Sequence, residues 1–216
     1  MHDLDFTVVF HKMPSLLQGA WATLYLSVIS LLIGLTLGII LALLRDSKLK
    51  ILSRLSWFYI WVFRGTPLMI QLYIFYFGLP SLGIKMSPVM AGICGMSLNT
   101  AAYIAEIVRS GIHGVDAGQR EAAKALGMSP FLEMIRIVTP QATKLCLLPL
   151  INQFVATIKN SSILSVVTII ELTRAGTLIA YSDFRYFEAY IAIAIMYLAL
   201  TTIFTSIGGY INRRLV

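Results

Sequence analysis

Arg64 stands, followed by Gly65, Thr66 and Pro67, inside a stretch that is otherwise apolar from about 55 to 79. At 1.5 Å per residue it lies roughly 14 Å into that stretch, near half the thickness of a bilayer. A cation at such depth is costly and faces a partner or a watery cavity. Gly65 and Pro67 loosen the helix around it and free backbone groups for a ligand. In a later apolar stretch, Asn152, Ala156 and Lys159 follow helical spacing, and Gln153, Thr157 and Asn160 form the adjoining stripe. One polar face therefore runs along an otherwise apolar helix. Asn99 and Tyr103 stand four apart on a third stretch. Together with the Thr66 hydroxyl, these groups could bind a small zwitterion, with Arg64 or Lys159 on a carboxylate and amide or hydroxyl oxygens on an ammonium group. A second reading stays open, in which Arg64 holds helix ends or backbone carbonyls together for gating. Glu106 and Arg109, three apart, read as a structural pair.

Such groups need an apolar scaffold, and the composition supplies one. Of 216 residues, 58% are hydrophobic and 12% charged, with a mean hydropathy of +0.82. Soluble domains have roughly 45–50% apolar and about 25% charged residues, so a water-soluble globule is excluded. Disordered chains are poor in apolar and aromatic residues, and this one is rich in both. A spanning helix needs about 20 apolar residues, and the stretches 16–44, 55–79, 89–108, 137–158 and 186–210 are read as spans. The expected fold is all-α: a polytopic membrane bundle of five transmembrane helices in one transmembrane domain, 1–216. The first stretch is far longer than the roughly 7–15-residue core of a signal peptide and follows a segment with Asp3 and Asp5, so it reads as a retained span. Its Ser30, Gly34, Gly38 and Ala42 recur every fourth residue, a small face for close helix packing within the subunit or across a dimer. Segment 161–179 reads as re-entrant or interfacial.

The net charge of +7 belongs to membrane topology. The basic residues form no stripe with interleaved aromatics, so no nucleic-acid partner is expected. Arg45, Lys48, Lys50, Arg54, Arg109, Arg120, Lys124, Arg136, Lys144, Arg213 and Arg214 gather on one side of a five-span arrangement. Only Lys12, Lys85, Arg174 and Arg185 fall on the other. By the positive-inside rule the crowded side is the cytoplasm, with the N-terminus outside and the C-terminus cytoplasmic. Cys94 and Cys146 lie within apolar segments and read as small buried hydrophobes. His2, His11 and His113 are scattered, so no metal site is assigned. The chain has no P-loop, no Ser-His-Asp arrangement and no zinc motif, which leaves it without an enzymatic site of its own.

The polar interval 110–140 carries its own punctuation. Asp116 can cap a short helix with Gln119 at its third position, and Gly127 can supply the left-handed residue that ends it. Ser129 and Pro130 can open the next helix. The isolated segment, 116–127, presents Glu121, Ala122, Ala123, Lys124, Ala125 and Leu126: small side chains for close approach, with one acid and one base. It reads either as a knob for another protein's socket or as a solvated loop helix.

Gly118 to Met128, with Pro140, Gln141 and Ala142, resembles the EAA motif of ABC-type importer permeases. Arg64 to Leu68 and Asn99 to Tyr103 resemble the polar amino acid branch, and the likeness extends over nearly the whole chain. The resemblance implies a five-span subunit of a bacterial inner-membrane importer. It implies that Glu121, Ala122, Ala123, Lys124, Leu126 and Gly127 form a coupling helix docking into a cytoplasmic ABC ATPase dimer, which would hold the ATP and Mg. An extracytoplasmic solute-binding protein and a second permease subunit would complete the assembly. The implied substrate is a polar amino acid, held by Arg64, Thr66, Asn99, Tyr103, Asn152, Gln153, Lys159 and Asn160, and the closest pattern is the L-cystine permease type. Several relatives carry Glu and Asp where this chain has Gln153 and Asn160, which argues against a cationic substrate. The competing classes are an ion-coupled carrier or channel that uses no ATP, although the inverted repeats of such carriers are not visible, and a purely structural membrane subunit.

Overall fold

An apolar run from Leu16 without a charged residue, with Pro14 in the first turn where its missing N–H costs nothing, gives the longest regular α-helix among the described residues, Met13–Arg45. The computed structural model describes residues 4–215; His2 and Asp3 lie outside them. In chain order the helices are α1 (Thr7–His11), α2 (Met13–Arg45), α3 (Lys50–Gly65), α4 (Leu68–Tyr73), α5 (Pro88–His113), α6 (Ala117–Ala125), α7 (Pro130–Glu133), α8 (Thr139–Asn160), α9 (Leu172–Asp183) and α10 (Tyr186–Leu215). All-α architecture is as expected.

Among the described residues, four helical stretches are long and apolar enough to cross a membrane: Met13–Arg45, Pro88–His113, Pro130–Val167 and Tyr186–Arg214. The expected span 55–79 is not one helix. α3 begins at Lys50 and stops at Thr66, which is extended (φ −118°, ψ 144°) because it precedes Pro67. α4 restarts after the proline and continues through a π-helical turn, Ile74–Gly78, and a 3-10 turn, Leu79–Leu82.

α2 and α5 form the most extensive helix pair. Ser30 and Ala42 are buried, and a Cβ on Gly38 would come within 2.9 Å of the Ala101 carbonyl oxygen. On Gly34 it would meet the Thr100 side chain at 2.9 Å. The small-residue face therefore packs within the subunit, where the two backbones approach too closely for any side chain.

The fourth stretch starts earlier than expected. Ser129 caps α7 by accepting the Leu132 N–H, and the helix runs on through a π-helical turn, Met134–Val138, into α8. Beyond α8, a 3-10 stretch, Ser161–Val167, and left-handed Thr168 (φ 68°) reverse the chain into α9. α9 is built into the bundle: Leu172, Ala175 and Ile179 share one core with Leu16 and Ala20 of α2 and Ala189 and Ile193 of α10. Its first turn is capped by Glu171, which is fully buried and accepts the backbone N–H groups of Thr173 and Arg174, each at 2.8 Å. The Tyr197 hydroxyl donates to the same carboxylate at 2.9 Å, tying α10 to the cap. Cys146 is buried as expected, whereas Cys94 is only half-buried.

Candidate functional site

Breaking a helix at Thr66–Pro67 leaves carbonyls of the last turn of α3 without helical donors, and in an apolar bundle they must find others. Gln71, one turn into α4, is buried and supplies them. Its Nε2 donates to the carbonyl of Phe63 at 2.9 Å and to the carbonyl and hydroxyl of Thr66 at 3.1 and 2.9 Å. Asn99 of α5 adds a second amide, its Nδ2 donating to the Phe63 carbonyl at 3.2 Å and to Gln71 Oε1 at 3.1 Å. The Phe63 and Thr66 carbonyls at the break are thus taken up by these two amides. Gln71→Leu should leave the Thr66 carbonyl unsatisfied, with Asn99 alone on that of Phe63, and lower stability by roughly 1–3 kcal/mol. A lower thermal unfolding midpoint of the purified protein would show it; an unchanged midpoint would show that water replaces the amide.

Arg64, in the last turn of α3, reaches toward α5. Its Nη1 lies 3.8 Å from Glu106 Oε2, and its guanidinium carbon lies 5.5 Å from the centre of the Tyr103 ring. Glu106 also meets Arg109 Nη2 at 3.5 Å, so the expected Glu106–Arg109 pair is one half of a shared carboxylate. The Arg64 side chain is 44% exposed and opens onto a concavity of about 440 Å³ whose lining includes Thr66, Asn99, Tyr103 and Asn160. A second concavity, about 490 Å³, adjoins Arg64, Tyr103 and Glu106 and is lined on α8 by Leu145 and Pro149. The arrangement offers a cation over an aromatic face, with hydroxyl and amide groups at its rim: suited to a carboxylate on a small polar molecule.

On the other side of Arg109, α5 ends at His113, whose Nε2 lies 2.7 Å from Asp46 Oδ2 at the end of α2. Arg120 of α6 donates to the Ile112 carbonyl at 2.5 Å, so α6 is held at this end of the bundle. Asp116 caps α6, with its carboxylate accepting from Gly118 and not from Gln119. At the far end the Met128 N–H reaches the Ala123 carbonyl and the Gly127 N–H that of Lys124, a Schellman closure in which Gly127 has φ 74°. Glu121, Ala122, Lys124, Ala125, Leu126 and Gly127 are exposed, while Ala123 is buried against the chain's own fold. Leu126 is 82% exposed and Phe131, just beyond, 74%.

The family model for the binding-protein-dependent transport system inner membrane component matches residues 34–216. The chain belongs to this family. Among curated relatives of this permease, the arginine transport system permease protein ArtQ of Bacillus subtilis (strain 168) is 38% identical over 99% of this chain and 98% of its own length. A probable glutamine ABC transporter permease protein, GlnM, from the same organism is 38% identical over 98% of both chains. The permease superposes on a crystal structure of an amino acid ABC transporter with histidines at a TM-score of 0.95 and 38% identity, covering 98% of this chain and 99% of that one. An inward-facing form of the MetNI methionine ABC transporter, at 21% identity and a TM-score of 0.78, shares the fold. The protein is thus a multi-pass inner-membrane permease subunit of an ABC amino acid importer, a transport subunit and not an enzyme.

Within the permease, the predicted site residues separate into two groups. Arg64, Thr66, Asn99, Tyr103 and Asn160 line one concavity. Asn152, Gln153 and Lys159 are absent from its lining: Gln153 stands two helical turns, about 10 Å, along α8 from Asn160, and Lys159 is about 100° around the helix from it. Gln71 and Glu106 were not singled out as site residues. Gln71 follows a proline break by one turn, and that spacing is the one local signal of its role. Phe131, a large apolar residue inside a polar interval, was equally visible as an oddity.

Proposed function

We propose that this subunit imports a neutral polar amino acid, with the zwitterion's carboxylate on Arg64 and the rest of the molecule against Tyr103, Thr66 and Asn160. The observation that carries the reading is the open concavity over Arg64, in which the guanidinium is only loosely paired, at 3.8 Å, with Glu106. A cationic side chain would meet Arg64 with no acid of its own, since the nearest carboxylate already serves Arg64 and Arg109. The L-cystine type of pattern fits these neutral linings. α3 and α4 together make the fifth crossing, with the N-terminus outside and the C-terminus in the cytoplasm. The bundle works as one of two permease subunits around a central passage, since five helices can hardly enclose a path alone. Energy comes from a cytoplasmic ABC ATPase dimer that holds ATP and Mg, and an extracytoplasmic binding protein delivers the substrate. Membership of the permease family speaks against the ion-coupled carrier.

The test is uptake into proteoliposomes containing this permease, its cognate ATPase and its binding protein, with single amino acids supplied in turn. ATP-dependent uptake of cystine or another neutral polar amino acid is expected. Preferential uptake of arginine or lysine would overturn the neutral reading, and uptake without ATP would overturn the coupling.

A further inference from the structure

The end of the bundle that carries α6 has a further concavity, whose lining does not include Arg64. It measures about 660 Å³ and is lined by Arg45, Ile51, Arg54, Leu55, Trp57 and Phe58. Two of these are guanidinium groups and four are large apolar side chains, each about half exposed or more. The Arg45 guanidinium is held in place, because its Nη1 donates to Ser53 Oγ at 3.0 Å while Ser53 Oγ donates back to the Arg45 carbonyl at 2.7 Å. Neither arginine has an acid within ion-pair distance among the described residues; Asp46, the one carboxylate nearby in sequence, is engaged by His113 at 2.7 Å. Lys48 and Lys50, both exposed, add further positive charge beside them. One turn along α3, Trp57 and Trp61 stack at 6.0 Å and 11°, a flat apolar wall of the kind found at the membrane–water boundary.

We propose that this notch binds one anionic phospholipid of the leaflet on the coupling-helix side, with its phosphate on Arg45 and Arg54 and an acyl chain along Leu55, Trp57 and Phe58. The charge selects the occupant. Uncompensated cations at a bilayer surface attract anionic headgroups, and the apolar wall suits a chain but not a solvated ion. A second copy docked two-fold through this same patch would oppose one basic surface with another.

The assembled transporter, permease with its ATPase, would be reconstituted in phosphatidylcholine nanodiscs containing a minor share of either brominated phosphatidylglycerol or brominated phosphatidylcholine. The tryptophan quenching that disappears in Trp57→Phe reports on this notch. At equal mole fraction, brominated phosphatidylglycerol is expected to quench that component several-fold more strongly, and Arg45→Gln with Arg54→Gln should remove the excess, while Lys85→Gln at the opposite end should not. Equal quenching by the two lipids in the wild type, or an excess that survives the double variant, would overturn the proposal. So would the absence of quenching by either lipid, which would mean that protein covers the face. The wild-type comparison decides even if the double variant fails to assemble.

Discussion

Gly127→Asp should abolish ATP-driven uptake while the permease still inserts in the membrane. Gly127 closes α6 with φ 74°, a conformation that glycine adopts freely and that aspartate and asparagine tolerate better than other residues. An added Cβ meets nothing within 4 Å in this chain, so the subunit itself has room for the side chain. If α6 docks on the ATPase, the surface against this turn would not. The neighbours point the same way: Leu126 and Phe131 are large, apolar and almost fully exposed at an end of the bundle that is rich in charge, a patch suited to another protein's surface. Gly127→Asn separates the two causes, since it matches aspartate in size and backbone tolerance but carries no charge. Uptake lost in both variants would indicate steric exclusion from the ATPase cleft; uptake lost only in the aspartate variant would indicate charge. Normal ATP-coupled uptake by Gly127→Asp would remove α6 as the coupling element. Ala122 should accept only small residues for the same reason, whereas Ala123, being buried, should respond to enlargement through the stability of the subunit itself.

Arg64→Ala should weaken the substrate dependence of ATP hydrolysis by at least tenfold with assembly preserved. A charge-assisted hydrogen bond contributes about 1.5–3 kcal/mol, and each 1.4 kcal/mol is about a factor of ten. Arg64→Lys should rescue little of this, because a lysine lacks the planar fork that grips a carboxylate with two parallel bonds and stacks on Tyr103. Lys159→Ala, Asn152→Ala and Gln153→Ala should shift the substrate dependence less, since they stand outside the concavity. The result that would assign Arg64 to gating is unchanged substrate dependence combined with raised hydrolysis in the absence of substrate. In that case the 3.8 Å contact to Glu106 would be the part that matters, and Glu106→Gln should reproduce the phenotype.

What could be read from the residue order was whatever depends on near neighbours. Asp116, Gly127, Ser129 and Pro130 mark helix ends by chemistry local to a turn, and each stands where it was expected. The interruption around Pro67 was likewise legible, because a proline acts on the residue before it and on the turn it enters. The stripe from Ser30 to Ala42 was visible as a face, but its partner was not, since spacing on one helix says nothing about which helix lies opposite. The same gap explains the site. Asn99 has a side chain able to bind a ligand, and only the fold brings it within reach of a broken helix end 36 residues earlier at Phe63. Ala123 belonged by sequence to the same small-residue knob as Ala122, and its inward turn follows from how α6 lies on the bundle.

The π-helical turn at Met134–Val138 joins the segment that carries α6 and α7 to the crossing that ends beside the candidate site. A π turn holds one residue more than an α turn closed in the same way. Dropping a single residue from 134–138 would let this stretch relax to regular α geometry with the segments on either side keeping nearly the same rotation, because the wide turn already holds the surplus residue. The same loss within the regular part of α8 would rotate everything ahead of it by about 100°. The stretch between the two ends of the machine therefore behaves as a slack link, which can take up one residue of change in length without passing a rotation on.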